Sequence, residues 1–285
     1  MVLVIEENHM FTEVFPKGMP WLVAQGNANA YATNYHADEP GSALDYYWLS
    51  SGSGEAAWEN MPADCEGWGC YNSITSDNIF RELTKAGMTW KVYAESIPSV
   101  GWMDGDAGAY VDRHNPAVWY SDLATFSTTP PAPGGTRTQA PYTAAQLAMQ
   151  QNVVPFTQLA VDMANNQLPN YSLIIPDVNH DAHDGTVLQA DQWLAANVAP
   201  LLKQPYFQPG GDGVMFVTFD ECDGAVGACP EVVYTAVIGP NVKPGFTSNV
   251  LYKHENTLRT MYDALGIANY PGASKTAGDM SDFFK

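Results

Sequence analysis

Four short apolar runs in this chain each stop abruptly at a carboxylate. Val2-Leu3-Val4-Ile5 runs into Glu6-Glu7-Asn8-His9, and Thr89 to Ala94 ends at Glu95. Ser172 to Pro176 ends at Asp177, with His180, Asp181, His183 and Asp184 close behind, and Val214 to Phe219 ends at Asp220-Glu221. A fifth run, Val232 to Ile238, closes on Gly239-Pro240. Runs that are continuously apolar suit strands buried on both faces, as in a parallel sheet covered by helices. Helix signals fill the intervals. Ser76 or Asp77 caps a helix through Ile79, Leu83 and Ala86, closed by Gly87; the last helix runs from Glu255 to Leu265 and stops at Gly266. Val187 to Lys203 also reads as helical, and Ala144 to Gln167, interrupted by Pro155, predicts two helices or one kinked helix. The expected fold is therefore α/β, with a mostly parallel central sheet and helices on both faces, in one domain over residues 1–285. The Pro- and Gly-rich stretch from Ser127 to Pro141 predicts a loop. In such sheets functional groups gather beyond the carboxyl ends of the strands, where four of these five runs carry acids.

A net charge of −19 argues against nucleic acid as a partner, since nothing here would neutralise a phosphate backbone. It also opposes binding to an anionic membrane surface, and no stretch is suited to stable membrane insertion. A small phosphate substrate stays compatible if a metal or a helix end reverses the local field. Cysteines fall in two close pairs, Cys65–Cys70 and Cys222–Cys229, which predicts two local disulfides and an oxidising compartment. With an opening directly on a strand, this suggests a mature secreted or periplasmic protein. The sequence is silent on oligomeric state.

Glu7-Asn8 and Asp220-Glu221 would bring oxygen-bearing side chains to one rim. Clustered carboxylates repel unless a cation lies between them, and oxygen donors suit Mg²⁺, Ca²⁺ or Mn²⁺, with Zn²⁺ the alternative. Capping of helix N-termini explains the same residues equally well. Ser42 follows a Pro40-Gly41 turn and precedes a helix-like run, placing its oxygen where backbone N–H groups favour a phosphate. As an isolated signal it fits an ordinary N-cap. The cluster His180, Asp181, His183 and Asp184 suggests a second metal site or phosphate contacts, and His114 and His254 could face the same rim. Glu95 reads equally well as a hydrogen-bonded structural glutamate.

Several blocks resemble the bacterial phosphoesterase family of acid phosphatases and phosphatidylcholine-type phospholipases C, within the alkaline-phosphatase-like superfamily. They are Val4-Ile5-Glu6-Glu7-Asn8-His9, Ala32 to Ala37 leading to Ser42, Trp90 to Pro98, and Arg113-His114-Asn115-Pro116. Pro176 to Asp184, Phe219 to Gly224, and Tyr252-Lys253-His254 through Thr260 continue the series in the family's order. The resemblance implies Glu7, Asn8, Asp220 and Glu221 as metal ligands, with Ser42 as nucleophile and fifth ligand. It implies His114, Asp177, Asp181 and His183 as the phosphate-binding or second-metal side; His180 and His254, read from the residues alone, are further candidate substrate contacts. The chain departs from the family at Pro40-Gly41-Ser42-Ala43-Leu44-Asp45-Tyr46, where the small phosphatases read His-Pro-Ser-Leu-Pro-Asn-Tyr. Asp45 stands where an asparagine is expected beside the phosphate, and an anion there would repel a dianionic monoester. The expected activity is metal-dependent phosphomonoester hydrolysis through phosphoserine on Ser42, with a histidine, His114 or His183, assisting. The alternatives are a phospholipase C-type phosphodiesterase, with Trp and Tyr residues of 46–71 and 102–120 forming an apolar entrance, and a non-catalytic secreted protein that keeps the metal site.

Overall fold

A computed structural model describes residues 1–54, 73–125, 141–222 and 232–285. Its strands are β1 (Val2–Glu6), β2 (Ala30–Ala32), β3 (Trp90–Ala94), β4 (Val153–Pro155), β5 (Tyr171–Ile175), β6 (Met215–Phe219), β7 (Thr235–Ile238) and β8 (Phe246–Ser248). The α-helices are α1 (Phe11–Val14), α2 (Pro20–Ala28), α3 (Ser42–Ser51), α4 (Ile79–Lys85), α5 (Ala144–Gln150), α6 (Thr157–Ala164), α7 (Val187–Asn197) and α8 (His254–Leu265). The strands form one sheet in the order β4-β3-β5-β1-β6-β7-β2-β8. Only β7 runs against its neighbours, antiparallel to β6 and β2. As the continuous apolar runs require, β1, β5, β6 and β7 are buried along their whole length.

The register assigns every strand residue to a face. Leu3 pairs with Leu173, and Leu173 with Val92, so the alternate residues Leu3, Ile5 and Trp90 share one face. There the Trp90 ring packs on Phe80 of α4, at 4.9 Å between centroids, and α3 contacts α4 and α8. Val4, Ile174 and Tyr93 line the other face, where the Tyr93 hydroxyl donates to Asp162 of α6. Helices α2 and α7 pack together as a further pair. Period-two alternation therefore sends Glu6 and Glu7, adjacent in sequence, to opposite faces of the sheet.

Some local expectations are corrected. Residues 144–167 form two helices separated by β4, not one kinked rod, because Val153 and Val154 pair with β3. Pro155 is tolerated there because β4 is an edge strand. The helix begun at Val187 ends at Asn197 and continues over Ala199–Lys203 as a 3₁₀ turn containing Pro200. Asn78, rather than Ser76 or Asp77, caps α4, its side chain accepting from the Arg81 amide. Cys65, Cys70, Cys229 and the loop over 127–140 lie outside the described residues.

Between α2 and α7, buried Asp191 accepts the Trp21 and Leu22 amides, both at 2.9 Å. These are first-turn N–H groups of α2 with no intrahelical partner. Asp191→Ala leaves both unsatisfied and should lower unfolding free energy by about 1–3 kcal/mol, read from urea midpoints.

Candidate active site

The site lies beyond the carboxyl ends of β1, β5 and β6. Asn8, in the left-handed region at φ 58, turns the chain sharply after β1. Glu7 is thereby buried against α3, and its amide donates to the Asp181 carbonyl at 2.7 Å. Ser42 is the first residue of α3 rather than its cap. That position belongs to Gly41, whose φ of 109 and ψ of 114 favour glycine. Ser42 Oγ donates to Glu7 Oε2 at 2.8 Å, and the Gly41 amide donates to Glu221 Oε2 at 2.8 Å. The Asn8 backbone amide donates to Asp220 Oδ1 at 3.0 Å. Residues from β1, α3 and the end of β6 thus converge on one spot.

The electrostatics there are unbalanced. Burial, then the charge of Asp181, raises the Glu7 carboxyl well above its usual range. Burial, followed by Glu7 and Glu221, does the same to Asp220. Glu7 Oε1 and Asp220 Oδ2 are buried and accept no hydrogen bond. Such atoms are costly unless protonated or bound to a cation. Hard, converging and unsatisfied oxygens are what a divalent metal ion requires, so these residues fit one.

A histidine and a second acid flank this group. His114 Nδ1 is 3.0 Å from Asp181 Oδ2, and its Nε2 is 3.4 Å from Glu7 Oε1. Tyr46 of α3 stacks on the imidazole, at 5.4 Å between centroids and 8° between planes, so the ring is held on edge and face. Asp181 Oδ1 accepts the His183 amide at 2.8 Å, and His183 Nε2 is 3.2 Å from a guanidinium nitrogen of Arg113. Glu7, His114 and Asp181 each offer a ligand atom within 4.8 Å of the others. Arg113 was not singled out from the sequence, although it adjoins His114 in the quoted Arg-His-Asn-Pro block.

The remaining candidates lie in two other groups. Asp177 and His180 turn toward Glu95: its Oε2 accepts the Asp177 amide and lies 3.0 Å from His180 Nδ1, while Oε1 accepts from Trp193. Ser96 donates to Asp177 Oδ2. These contacts tie Glu95, Asp177 and His180 together, and each offers a ligand atom within 4.8 Å of the others. The third group holds Asp45 and His254, both fully buried. Asp45 Oδ1 accepts the Asp38 amide at 3.0 Å and the Glu39 amide at 3.3 Å, and His254 Nε2 stands 3.3 Å from it. Burial pushes Asp45 up to about 6. For His254 burial lowers the pKa, but Asp45 and Asp38 outweigh it and bring the value to about 9. His254 thus stands within ion-pair distance of the Asp45 carboxylate. Glu6 faces away from Glu7 and Ser42, on the sheet face that also carries Val4 and Tyr93. Burial holds it well above the usual carboxylate range, and Asp181, Asp191 and Glu95 add to the shift.

Residues 17–268 match the model of the phosphoesterase family. The chain belongs to that family. A phosphatidylinositol-3-phosphatase of Mycobacterium tuberculosis is 26% identical over 269 residues, covering 94% of this chain and 77% of that protein. An acid phosphatase of Aspergillus fumigatus is 25% identical over 257 residues, covering 86% of this phosphoesterase but only 49% of its own length. This phosphoesterase therefore spans about half of that fungal relative. Among solved structures, an alkaline phosphatase superfamily protein from Vibrio parahaemolyticus aligns with a TM-score of 0.60 at 11% identity, over 98% of this chain and 69% of that one. A lipoteichoic acid synthase from Listeria monocytogenes gives 0.59 at 13% identity, over 95% and 72%. The fold is that of the alkaline phosphatase superfamily, and family and relatives together support a phosphoric ester hydrolase.

Asp181 yields a pH prediction for the metal-free protein. Burial raises its pKa from 3.8 to about 8, so between those values the folded protein binds more protons than the unfolded chain. Stability held by the protonated acid is complete below the lower value and is lost as pH rises through the upper one. Melting temperature measured in chelator should fall across this window, and Asp181→Asn should flatten the fall.

Proposed function

We propose that this phosphoesterase is a metal-dependent phosphomonoesterase that acts through phosphoserine on Ser42. The observation that carries the reading is Ser42 Oγ at the start of α3, 2.8 Å from a buried glutamate in a cluster of underpartnered acids. Glu7, Asp220 and Ser42, with Glu221 and Asn8 alongside, would hold a divalent cation. Bound there, the cation would lower the pKa of the serine hydroxyl and offset the charge on the phosphate.

The chain's own groups supply the rest. Ser42 Oγ passes its proton to Glu7 Oε2 as the oxygen attacks phosphorus, forming the Oγ–P bond while the bond to the ester oxygen breaks. Amides at the N-terminus of α3, the Arg113 guanidinium and His183 stabilise the non-bridging oxygens, since phosphoryl transfer depends chiefly on positioning and electrostatics. His114, oriented by Asp181, protonates the departing alkoxide, which favours acidic pH. Water then attacks the phosphoserine while giving a proton to His114, the Oγ–P bond breaks to release phosphate, and Ser42 recovers its proton from Glu7.

Two observations favour a monoester over a phospholipase C-type diester. The relatives in the comparison are phosphatases by name. Among the described aromatics of the expected apolar entrance, Tyr46, Tyr47, Tyr110, Trp119 and Tyr120 are buried and Trp48 and Trp102 partly so, while Trp58, Trp68 and Tyr71 lie outside the described residues. The paired cysteines support a secreted or periplasmic location.

Ser42→Ala should reduce hydrolysis of an aryl phosphate by on the order of 10³-fold or more. Chelation should abolish turnover, and Mg²⁺, Ca²⁺, Mn²⁺ or Zn²⁺ added back singly should show which ion restores it. An unchanged Ser42→Ala rate would remove the nucleophile, and faster turnover of a diester would reverse the substrate assignment.

A further inference from the structure

Tyr46 lies one turn beyond Ser42 on α3, so the two side chains share a face of the helix. Ser42 engages one oxygen of Glu7, its Oγ donating to Oε2 at 2.8 Å. The other oxygen, Oε1, accepts no hydrogen bond and stands 3.4 Å from His114 Nε2. Tyr46 flanks the same edge of Glu7, because its ring is stacked on the His114 imidazole with 5.4 Å between centroids and 8° between planes. A wholly buried ring packed in this way cannot swing to another acceptor. Its hydroxyl is buried and completes no hydrogen bond. Burial and the charge of Asp181 raise the Glu7 pKa, and the Tyr46 hydroxyl stands with Asp220 and Ser42 among the groups that oppose the rise. It therefore reaches toward Glu7. Other buried tyrosines also lack a partner for the hydroxyl, but their surroundings differ. The titratable neighbour of Tyr171 is Tyr120 and that of Tyr234 is Tyr31, whereas the charges around Tyr46 are those of Glu7, Asp220 and Asp181.

An uncommitted donor beside an uncommitted acceptor is unfavourable in a dry site, and phenylalanine would fill the same space without that cost. A carboxylate that binds a cation is itself held by hydrogen bonds from the surrounding protein, which fix its orientation and so the position of the ion. We infer that Tyr46 is the positioning residue of Glu7, its hydroxyl donating to that carboxylate when the carboxylate binds a cation. The inference rests on the proposed role of Glu7 as a metal ligand and adds the residue that orients it. The Ser42 hydroxyl cannot fill this role throughout the reaction, because it is the proposed nucleophile and gives up its proton. His114 likewise delivers its proton to the departing alkoxide. Tyr46 remains, with a phenolic O–H that no step of the proposed chemistry consumes. Helix α3 then supplies both the attacking oxygen and, one turn on, the donor that holds the acid beside it. Tyr46 acts through Glu7 and takes no part in the transfer itself.

The test compares wild type with Tyr46→Phe, which keeps the stack on His114 and removes only the hydroxyl, and with Tyr47→Phe. Tyr47, the next residue on α3, packs edge-on against Tyr120 and is the control. Metal-stripped proteins are titrated by calorimetry with Mg²⁺, Ca²⁺, Mn²⁺ and Zn²⁺ in turn. They are then melted in chelator and in an excess of the ion that wild type binds most tightly. Tyr46→Phe should bind that ion about tenfold or more weakly. In chelator it should melt no lower than wild type, because the hydroxyl has no partner to lose there. The added ion should raise its melting temperature by less than it raises that of wild type. Its hydrolysis of an aryl phosphate should recover as the ion concentration is increased, with KM for the phosphate within about twofold of wild type. Tyr47→Phe should keep the affinity of wild type. An affinity unchanged in Tyr46→Phe overturns the inference, as does an equal loss in Tyr47→Phe. A Tyr46→Phe protein that fails to fold, or melts lower than wild type in chelator, also overturns it, since the hydroxyl is then a structural bond of the metal-free protein. Wild type that binds none of the four ions removes the metal-ligand reading of Glu7 and this inference with it. Wild type that binds an ion no more tightly than Tyr46→Phe removes this inference alone.

Discussion

The architecture turns on where Glu6 and Glu7 point. They are consecutive at the end of the central strand, and the pleat sends one beneath each helix layer. Glu7 enters the layer containing α3 and meets a serine hydroxyl, a histidine and two further carboxylates. Glu6, buried with neither oxygen hydrogen-bonded, stays on the far side. A slip of one residue in β1 would present Glu6 or Asn8 to Ser42 in place of Glu7. The parallel pairing of β1 with both β5 and β6 prevents that slip, so the apolar register of the core fixes which carboxylate lies beside Ser42.

Much of this was legible because parallel sheets leave a strong imprint on sequence. Uninterrupted apolar runs identified β1, β3, β5 and β6, and the acids at their ends located the rim. Ser42 at the head of a helix followed from Pro40-Gly41, whose glycine adopts the positive φ that the turn requires. What escaped notice was short or at an edge. β2, β4 and β8 span three residues each, too few for periodicity to register, and β4 was absorbed into a neighbouring helical pattern.

Side-chain direction was less legible than position. His180, Asp181, His183 and Asp184 read as one functional cluster, yet the loop divides them. Asp177 and His180 turn to Glu95, while Asp181 and His183 turn to His114 and Arg113. Ala182, at φ 80, marks the bend between the two sets. A loop has no fixed period, so spacing alone cannot assign its side chains to one partner or another. Arg113 went unremarked for a related reason: an isolated arginine acquires meaning only when a distant histidine is found beside it.

Position 45 shows how a local comparison can mislead about charge. Seen within the nucleophile segment, an aspartate in place of an asparagine adds an anion near a dianionic substrate. Within the fold, that anion is matched by a histidine at the start of the last helix, and the same imidazole holds the carbonyl of a proposed metal-binding residue. The effective charge of a buried residue belongs to the group it is buried with. Here the acid and its counter-ion come from opposite ends of the chain. Their combined effect at the phosphate therefore follows from the orientation of a hydrogen-bonded pair and from neither residue alone.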